Sequence, residues 1–253
     1  MSDSVPFNTA SFAEMRHDPD VAIQWRPKEL AQLAQRVRDC RKCPGLNLTE
    51  PPPPFLAQST NSAPGYGDPL SPVVIVGQSL CGAPCINAQI PFTGGAGKLL
   101  DEAFLRADIT KSQIFITNVV HCHPQNNRPS LPHEITNCAD YLADELRILH
   151  PRVIIGLGRD AREWLEGWVG RDDDDWRVTK HAPDATVPHR RALHLAPHPS
   201  WVMKQPKPIR EGYIETLAAS LRWAFEGAQR ATVQQRGLKS TLRAAPRGTP
   251  DSP

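Results

Sequence analysis

Apolar residues in this chain fall into short unbroken runs separated by longer amphipathic stretches. VVIVG at 73–77, IFITN at 114–118, RVIIGLG at 152–158 and ALHLA at 192–196 show little polar alternation. Strands that are apolar on both sides belong in a sheet covered on both faces, the habit of parallel sheets. Around these runs the period changes to that of a helix, predicting helices over 97–107, 132–149, 159–168 and 210–229. A further helix is expected over 27–37 (PKELAQLAQRV), with Pro27 at its start and Leu30 and Leu33 on its apolar side. The alternation predicts an α/β fold: a three-layer αβα sandwich around a central four-stranded parallel sheet. In such sheets ligands sit at the carboxyl ends of the strands, where Gln78, Asn118 and His198 lie.

The remaining segments read as connections and ends. Residues 1–27 have few periodic apolar positions and are expected to form a loose arm ahead of a single domain over 28–229. Residues 46–70, with PPPP at 51–54, read as an irregular connection. The stretch 169–191 is too polar for core, and its DDDD run at 172–175 reads as a solvated loop rather than a metal site. From residue 230 a disordered basic tail is expected.

Composition narrows the class. The chain has 253 residues, 40% of them apolar, enough for one large core. No run approaches the ~18 apolar residues of a membrane span, and residues 1–20 lack a secretory pattern. A cytoplasmic setting is expected, which favours metal-bound or free cysteines over disulfides. Net charge is +2, but the tail's Arg230, Arg236, Lys239, Arg243 and Arg247 against Asp251 carry +4, leaving −2 on the rest. A nucleic-acid surface on the folded part must therefore come from local placement of charge.

Six cysteines stand at 40, 43, 81, 85, 122 and 138. Cys40-Arg-Lys-Cys43 suits two ligands of one metal; a thioredoxin-like role would want the pair after a strand and opening a helix, and here it follows a helix. Cys122 ends the second strand region and Cys138 lies in the next predicted helix. The two pairs can supply four sulfurs to a zinc ion or an iron–sulfur cluster, and zinc can also recruit His121 or His123. Cys81 and Cys85, in a CGAPC loop, read as small residues of a tight turn.

The segment GQSLCGAPCINAQIPFTGGAG, 77–97, leaves the first strand for a helix. Its glycines match neither phosphate-loop pattern. Phe92 is a candidate stacking plate, Asn118 offers the paired donor and acceptor that a pyrimidine edge needs, and His198 can donate to an oxygen that gains charge. An aromatic plate, an amide and a histidine are what would hold a flipped base.

The ordered set CRKCPGL, VVIVGQ, PFTGGAGKLLDEAF, TNVVHCHPQNNRP, a cysteine at 138 and HPS at 198–200 resembles the iron–sulfur uracil-DNA glycosylases of bacteria and archaea, over about residues 35–225. The resemblance implies a uracil-DNA glycosylase-like fold and a 4Fe–4S cluster on Cys40, Cys43, Cys122 and Cys138. It also implies that Asn118 reads uracil, that Phe92 stacks on it, and that His198 stands near its O2. Gly77 and Ser79 would border the base, and Pro199 and Ser200 would press into the DNA minor groove. Arg128, Lys204, Lys207 and Arg210 flank these motifs and are candidate backbone contacts.

The chain departs from the best-known branch of that family. GQSLC places Gln78 where a glutamate would stand, and no Asp or Glu occurs from Gln78 to Leu100. His121-Cys122-His123 replaces a lysine–cysteine–arginine. The expected activity is that of a monomeric, monofunctional glycosylase on uracil-containing DNA, with Gln78 or Asn87 orienting the water. The alternatives are a damage- or abasic-site binder of the same fold, a glycosylase for hypoxanthine or xanthine, and a zinc-stabilised protein acting on a small molecule.

Overall fold

The computed structural model describes residues 19–47, 61–124, 126, 128–170, 176–183 and 191–244. Five strands form one sheet: β1 (Val73–Ser79), β2 (Phe115–Val120), β3 (Val153–Leu157), β4 (Trp176–Thr179) and β5 (Arg191–Ala196). All pairings are parallel, in the order β2-β1-β3-β5-β4. The helices are α1 (Pro19–Arg38), α2 (Pro44–Asn47), α3 (Ala83–Ala88), α4 (Lys98–Arg106), α5 (Pro132–Leu149), α6 (Arg159–Val169), α7 (Pro199–Val202) and α8 (Lys207–Ala244). None of the helices described is long and apolar enough to cross a membrane.

Alternation along each strand sorts the core into two layers. Val73 and Ile75 of β1 point to one side, where Leu100 and Phe104 of α4 and Ile214, Leu217 and Leu221 of α8 pack. Val74 and Val76 point to the other, against Leu142 and Leu146 of α5 and Leu165 of α6. Each such side chain contributes about 1.5–3 kcal/mol by leaving water, which makes the sheet the rigid centre of the molecule. Outside α5 lies α1, with Leu33 and Val37 against Tyr141 and Ile148.

The sequence expectation of four strands is corrected to five. β4 lies in the stretch read as too polar for core. It pairs only with β5, through Trp176↔Arg191 and Val178↔Leu193, and Val178 is 47% exposed. An edge strand with one neighbour needs no doubly apolar run, so the periodicity does not reveal it. The aspartate run at 172–175 lies outside the described residues.

The helices are also longer than their patterns. α1 begins at Pro19 and carries Pro27 inside it, whereas Pro27 reads in sequence as a first-turn residue. The structure thus makes helix of 19–27, part of the expected arm; residues 1–18 lie outside the described residues. α8 runs through Ala244, well beyond 229, because the expected tail is rich in Ala, Gln, Arg and Lys, all good helix formers. Residues 245–253 lie outside the described residues.

One buried polar pair ties the sheet to α8. His194 of β5 is 1% exposed, and its Nδ1 lies 2.8 Å from Ser220 Oγ. Burial, with a smaller effect from His181, pushes its pKa down to about 4. In the unfolded chain the imidazole gains its proton near pH 6.5, so protons bind the unfolded state first and stability falls as pH drops. Urea unfolding should lose on the order of 2–3 kcal/mol between about pH 6.5 and 4, with a shallower loss in His194→Gln.

Candidate functional site

The chain reverses direction in the sheet order between β1 and β3, the position at whose carboxyl ends a ligand crevice is expected. Its first wall is the exit of β1. Gly77 is paired in register with Asn118 of β2. A Cβ at Gly77 would collide with Asn118 Oδ1 and would stand 2.7 Å from Phe92 Cζ. The missing side chain is therefore what lets amide and ring meet above the strand. Asn118 is 3% exposed and Phe92 is 6% exposed.

Phe92 holds that place in a left-handed backbone conformation, φ 55°, which a residue with a Cβ adopts only when held. Two contacts hold it. Lys111 Nζ donates to the Phe92 carbonyl at 2.9 Å, and Gly97 gives that carbonyl room, since a Cβ at Gly97 would overlap it. Burial lowers the pKa of Lys111, with the charge of Asp101 acting in the opposite sense.

The opposite wall is His198, which follows β5. Its ring centroid lies 6.2 Å from that of Phe92. The Ser200 amide donates to His198 Nδ1 at 3.2 Å, and Ser200 Oγ lies 2.7 Å from the same atom. An Nδ1 that accepts leaves the proton of the neutral ring on Nε2. Burial pushes the pKa of His198 down, with Asp160 opposing. The histidine is thereby prepared as a neutral donor. Against it rests Gly158, the exit residue of β3, where a Cβ would lie 3.1 Å from His198 Cβ.

Asn118, Phe92 and His198 thus converge, with Gly77 beneath them. Gln78 and Ser79 lie half-buried at the end of β1. Asn87 is exposed on α3, and none of the hydrogen bonds or ring contacts found among the described residues ties it to the crevice. Pro199 is buried, while Ser200, Trp201, Met203 and Lys204 form the exposed face beyond His198, joined by exposed Lys207 and half-buried Arg210. Arg128 grips Glu134 through two contacts, 2.9 and 2.5 Å, and Glu134 also accepts from the Leu131 amide at the start of α5. Its charge serves that helix start, which sequence neighbourhood alone does not disclose.

The four cysteines at 40, 43, 122 and 138 are free and buried. Burial pushes the Cys122 thiol up; Ser62 pulls it back, and Cys138, Cys40 and Cys43 each add to the rise. Cys43 is raised by burial too, with Asn137 opposing and Cys138 and Cys40 adding. Cys122 and Cys43 thus lie within electrostatic reach of Cys40 and Cys138. Asn137 Nδ2 donates to Cys43 Sγ at 3.2 Å, and Ser62 Oγ lies 3.2 Å from Cys122 Sγ. Tyr141 interacts with Cys40 and His121 with Cys138. Among the described residues, no three His, Cys, Asp or Glu side chains form a single-ion site.

The two histidines beside Cys122 go separate ways. His121 turns inward, where Glu145 accepts from Gly65 N at 3.0 Å and Thr117 Oγ1 at 2.6 Å and meets His121 Nε2 at 3.3 Å. Burial opposes a charge on His121, but Glu145 and Cys138 raise its pKa to about 10. His121 Nδ1 is buried and makes no close hydrogen bond, the Cys138 thiol being the group that acts on the ring besides Glu145 and Thr117. His123 Nδ1 lies 2.8 Å from the Leu80 carbonyl, while Leu80 N donates to the Cys122 carbonyl, so the exits of β1 and β2 are clamped together.

Cys81 and Cys85 form a disulfide, contrary to the expectation of plain turn residues. Gly82, at φ 84°, turns the chain into α3, whose first turn returns Cys85 to Cys81. Buried Cys85 also accepts from the Thr93 amide at 3.3 Å, next to Phe92. Lys111, Glu145 and Asp160 read in sequence as ordinary charges, Glu145 and Asp160 within predicted helices and Lys111 between a helix and a strand.

The hold on Phe92 is testable through its glycines. Gly97→Ala should lower stability by about 1–3 kcal/mol, because the Phe92 carbonyl must move. Gly95→Ala, at φ 49° with open space around it, should cost about 1–2 kcal/mol from backbone strain alone. Urea unfolding of the two variants, with the Phe92 loop followed by hydrogen exchange, should show the loop disturbed only by Gly97→Ala.

Comparison with known proteins agrees with this architecture. Residues 64–222 match the family model of the uracil DNA glycosylase superfamily. The chain is 34% identical over 54% of its length to a type-4 uracil-DNA glycosylase of Archaeoglobus fulgidus, spanning 64% of that protein. It is 37% identical over 56% of its length to one of Pyrobaculum aerophilum, spanning 67% of it. A type-5 uracil-DNA glycosylase of Thermus thermophilus is 29% identical over 76% of this chain and 97% of its own. The strands and helices that build both the crevice and its walls fall within the matched stretch, and the chain belongs to the uracil DNA glycosylase superfamily.

Proposed function

We propose that this protein is a monofunctional DNA glycosylase that hydrolyses the N-glycosidic bond of deoxyuridine in DNA, releasing uracil and leaving an abasic site. The observation that carries the reading is the convergence of Asn118, Phe92 and His198 over Gly77 at the carboxyl edge of the sheet. An amide, a flat ring and a neutral imidazole donor suit a single extrahelical base.

In this reading Phe92 stacks on uracil and the Asn118 amide pairs with its N–H and C=O edge. The C1′–N1 bond breaks with its electron pair going to the base, and the Nε2–H of His198 donates to the oxygen that gains charge. Water adds to C1′ and its proton is released, with Gln78 orienting it; an amide is no base, so bond breaking leads. The exposed Trp201 and Met203 beside Lys204, Lys207 and Arg210 offer an apolar wedge flanked by cations, suited to opening a duplex. The enzyme acts as a monomer.

Cys40, Cys43, Cys122 and Cys138 would hold a 4Fe–4S cluster, with no role in the bond-breaking step. Buried thiols that raise one another's pKa are poor thiolates alone, and iron would compensate their charge. The Nδ1 of His121, which makes no close hydrogen bond, fits the same reading, since a coordinated Cys138 thiolate is an acceptor. Held by these four cysteines, such a group would cross-link the α1–α2 turn, the β2 exit and α5.

Two measurements test the proposal. Single-turnover cleavage of a uracil-containing oligonucleotide should be readily seen, and His198→Ala should slow it by about 10²–10³-fold; equal rates would refute the donor role. The purified protein should be brown, with broad absorption near about 400 nm and about four irons per chain, lost in Cys122→Ala. A colourless protein carrying zinc would overturn the cluster.

A further inference from the structure

Asp160, the second residue of α6, has no task in the reaction outlined above. It is 6% exposed. Its Oδ1 lies 3.4 Å from Nε of Arg159, whose own side chain is 72% exposed. Its Oδ2 is sealed from solvent and has no hydrogen-bond partner. An acidic residue in a first helical turn ordinarily serves the free amides there, but Oδ2 accepts from none of them. A buried carboxylate oxygen with nothing to accept from is costly and calls for an explanation.

Its position offers one. β3 lies between β1 and β5, so its exit, Gly158 to Asp160, emerges between Gly77 and His198. Gly158, at φ 91°, lies against the His198 side chain. The charge of Asp160 reaches His198 and acts against the effect of burial there. The loop after β1 is where a carboxylate would be sought, and it contains neither Asp nor Glu from Gln78 to Leu100.

Building on the glycosylase reading, we infer that Asp160 supplies the fixed negative charge that stabilises the sugar cation during base excision, replacing a carboxylate on the β1 exit loop. As the C1′–N1 bond breaks, its electron pair leaves with uracil and the sugar ring becomes positive. Asp160 lowers the energy of that cation through space and accepts no proton. Its charge is fixed before the reaction begins, so no reorganisation accompanies it. Arg159, itself 72% exposed, meets Oδ1 at 3.4 Å, which leaves Oδ2 as the buried oxygen without a partner.

The test separates rate from binding. Single-turnover excision is measured for the parent and Asp160→Asn, alongside affinity for the same oligonucleotide carrying uncleavable 2′-fluoro-deoxyuridine. The expected result is a loss of about 10–100-fold in rate with affinity held within about threefold. A rate within about threefold of the parent overturns the inference, as does an equal fall in rate and affinity, which marks a structural role. If Asp160→Asn does not fold, Asp160→Ser, uncharged but able to serve the helix start, is judged by the same thresholds. A parent that binds the fluorinated site yet never excises uracil overturns the glycosylase reading itself, and this inference with it.

Discussion

The in-register pairing of β1 with β2 sets Gly77 beside Asn118, and the site depends on there being no side chain at that glycine. A single methyl group would fill the space in which the amide and the Phe92 ring approach each other. The same economy recurs at Gly158, where the missing Cβ admits His198. Two strand exits stripped to backbone thus create a crevice in a sheet otherwise packed with branched side chains. Phe92 can then be placed only by bending its own backbone into a left-handed turn, which Lys111 and Gly97 hold.

β2 joins this crevice to the thiol cluster. Asn118 lies within the strand and Cys122 just past its end, so whatever fixes one constrains the other. The His-Cys-His sequence makes physical sense on this view. His121 anchors inward on Glu145, and His123 catches the Leu80 carbonyl as the β1 loop departs. The chain thereby fastens both strand exits beside Cys122 without the long cationic side chains that flank this cysteine in the better-known branch.

Much of this fold is legible in the sequence. β1, β2, β3 and β5 are buried on both faces and announce themselves as unbroken apolar runs. β4 does not, because Trp176–Thr179 has one neighbour and one open side. Asn118, Phe92 and His198 could be singled out because their chemistry depends on residue type and on place in or after a strand; the structure puts Asn118 and Phe92 together over Gly77, with His198 facing Phe92. Asp160 and Lys111 could not be singled out. Each is a common charge, and its significance lies in what surrounds it: an oxygen without a donor, and a carbonyl in a left-handed turn. The pairing of Arg128 with Glu134 could not be read either, since it depends on how the loop before α5 folds back on that helix.

The length of α8 sets the geometry of anything attached to it. Its first residue, Lys207, stands beside the Trp201 face, and thirty-eight residues of helix end at Ala244. At about 1.5 Å per residue that is a rod of about 57 Å, roughly twice the width of a small domain. A label, tether or neighbouring polypeptide joined beyond Ala244 would therefore be carried far from the crevice mouth while staying mechanically continuous with the helix that backs the sheet.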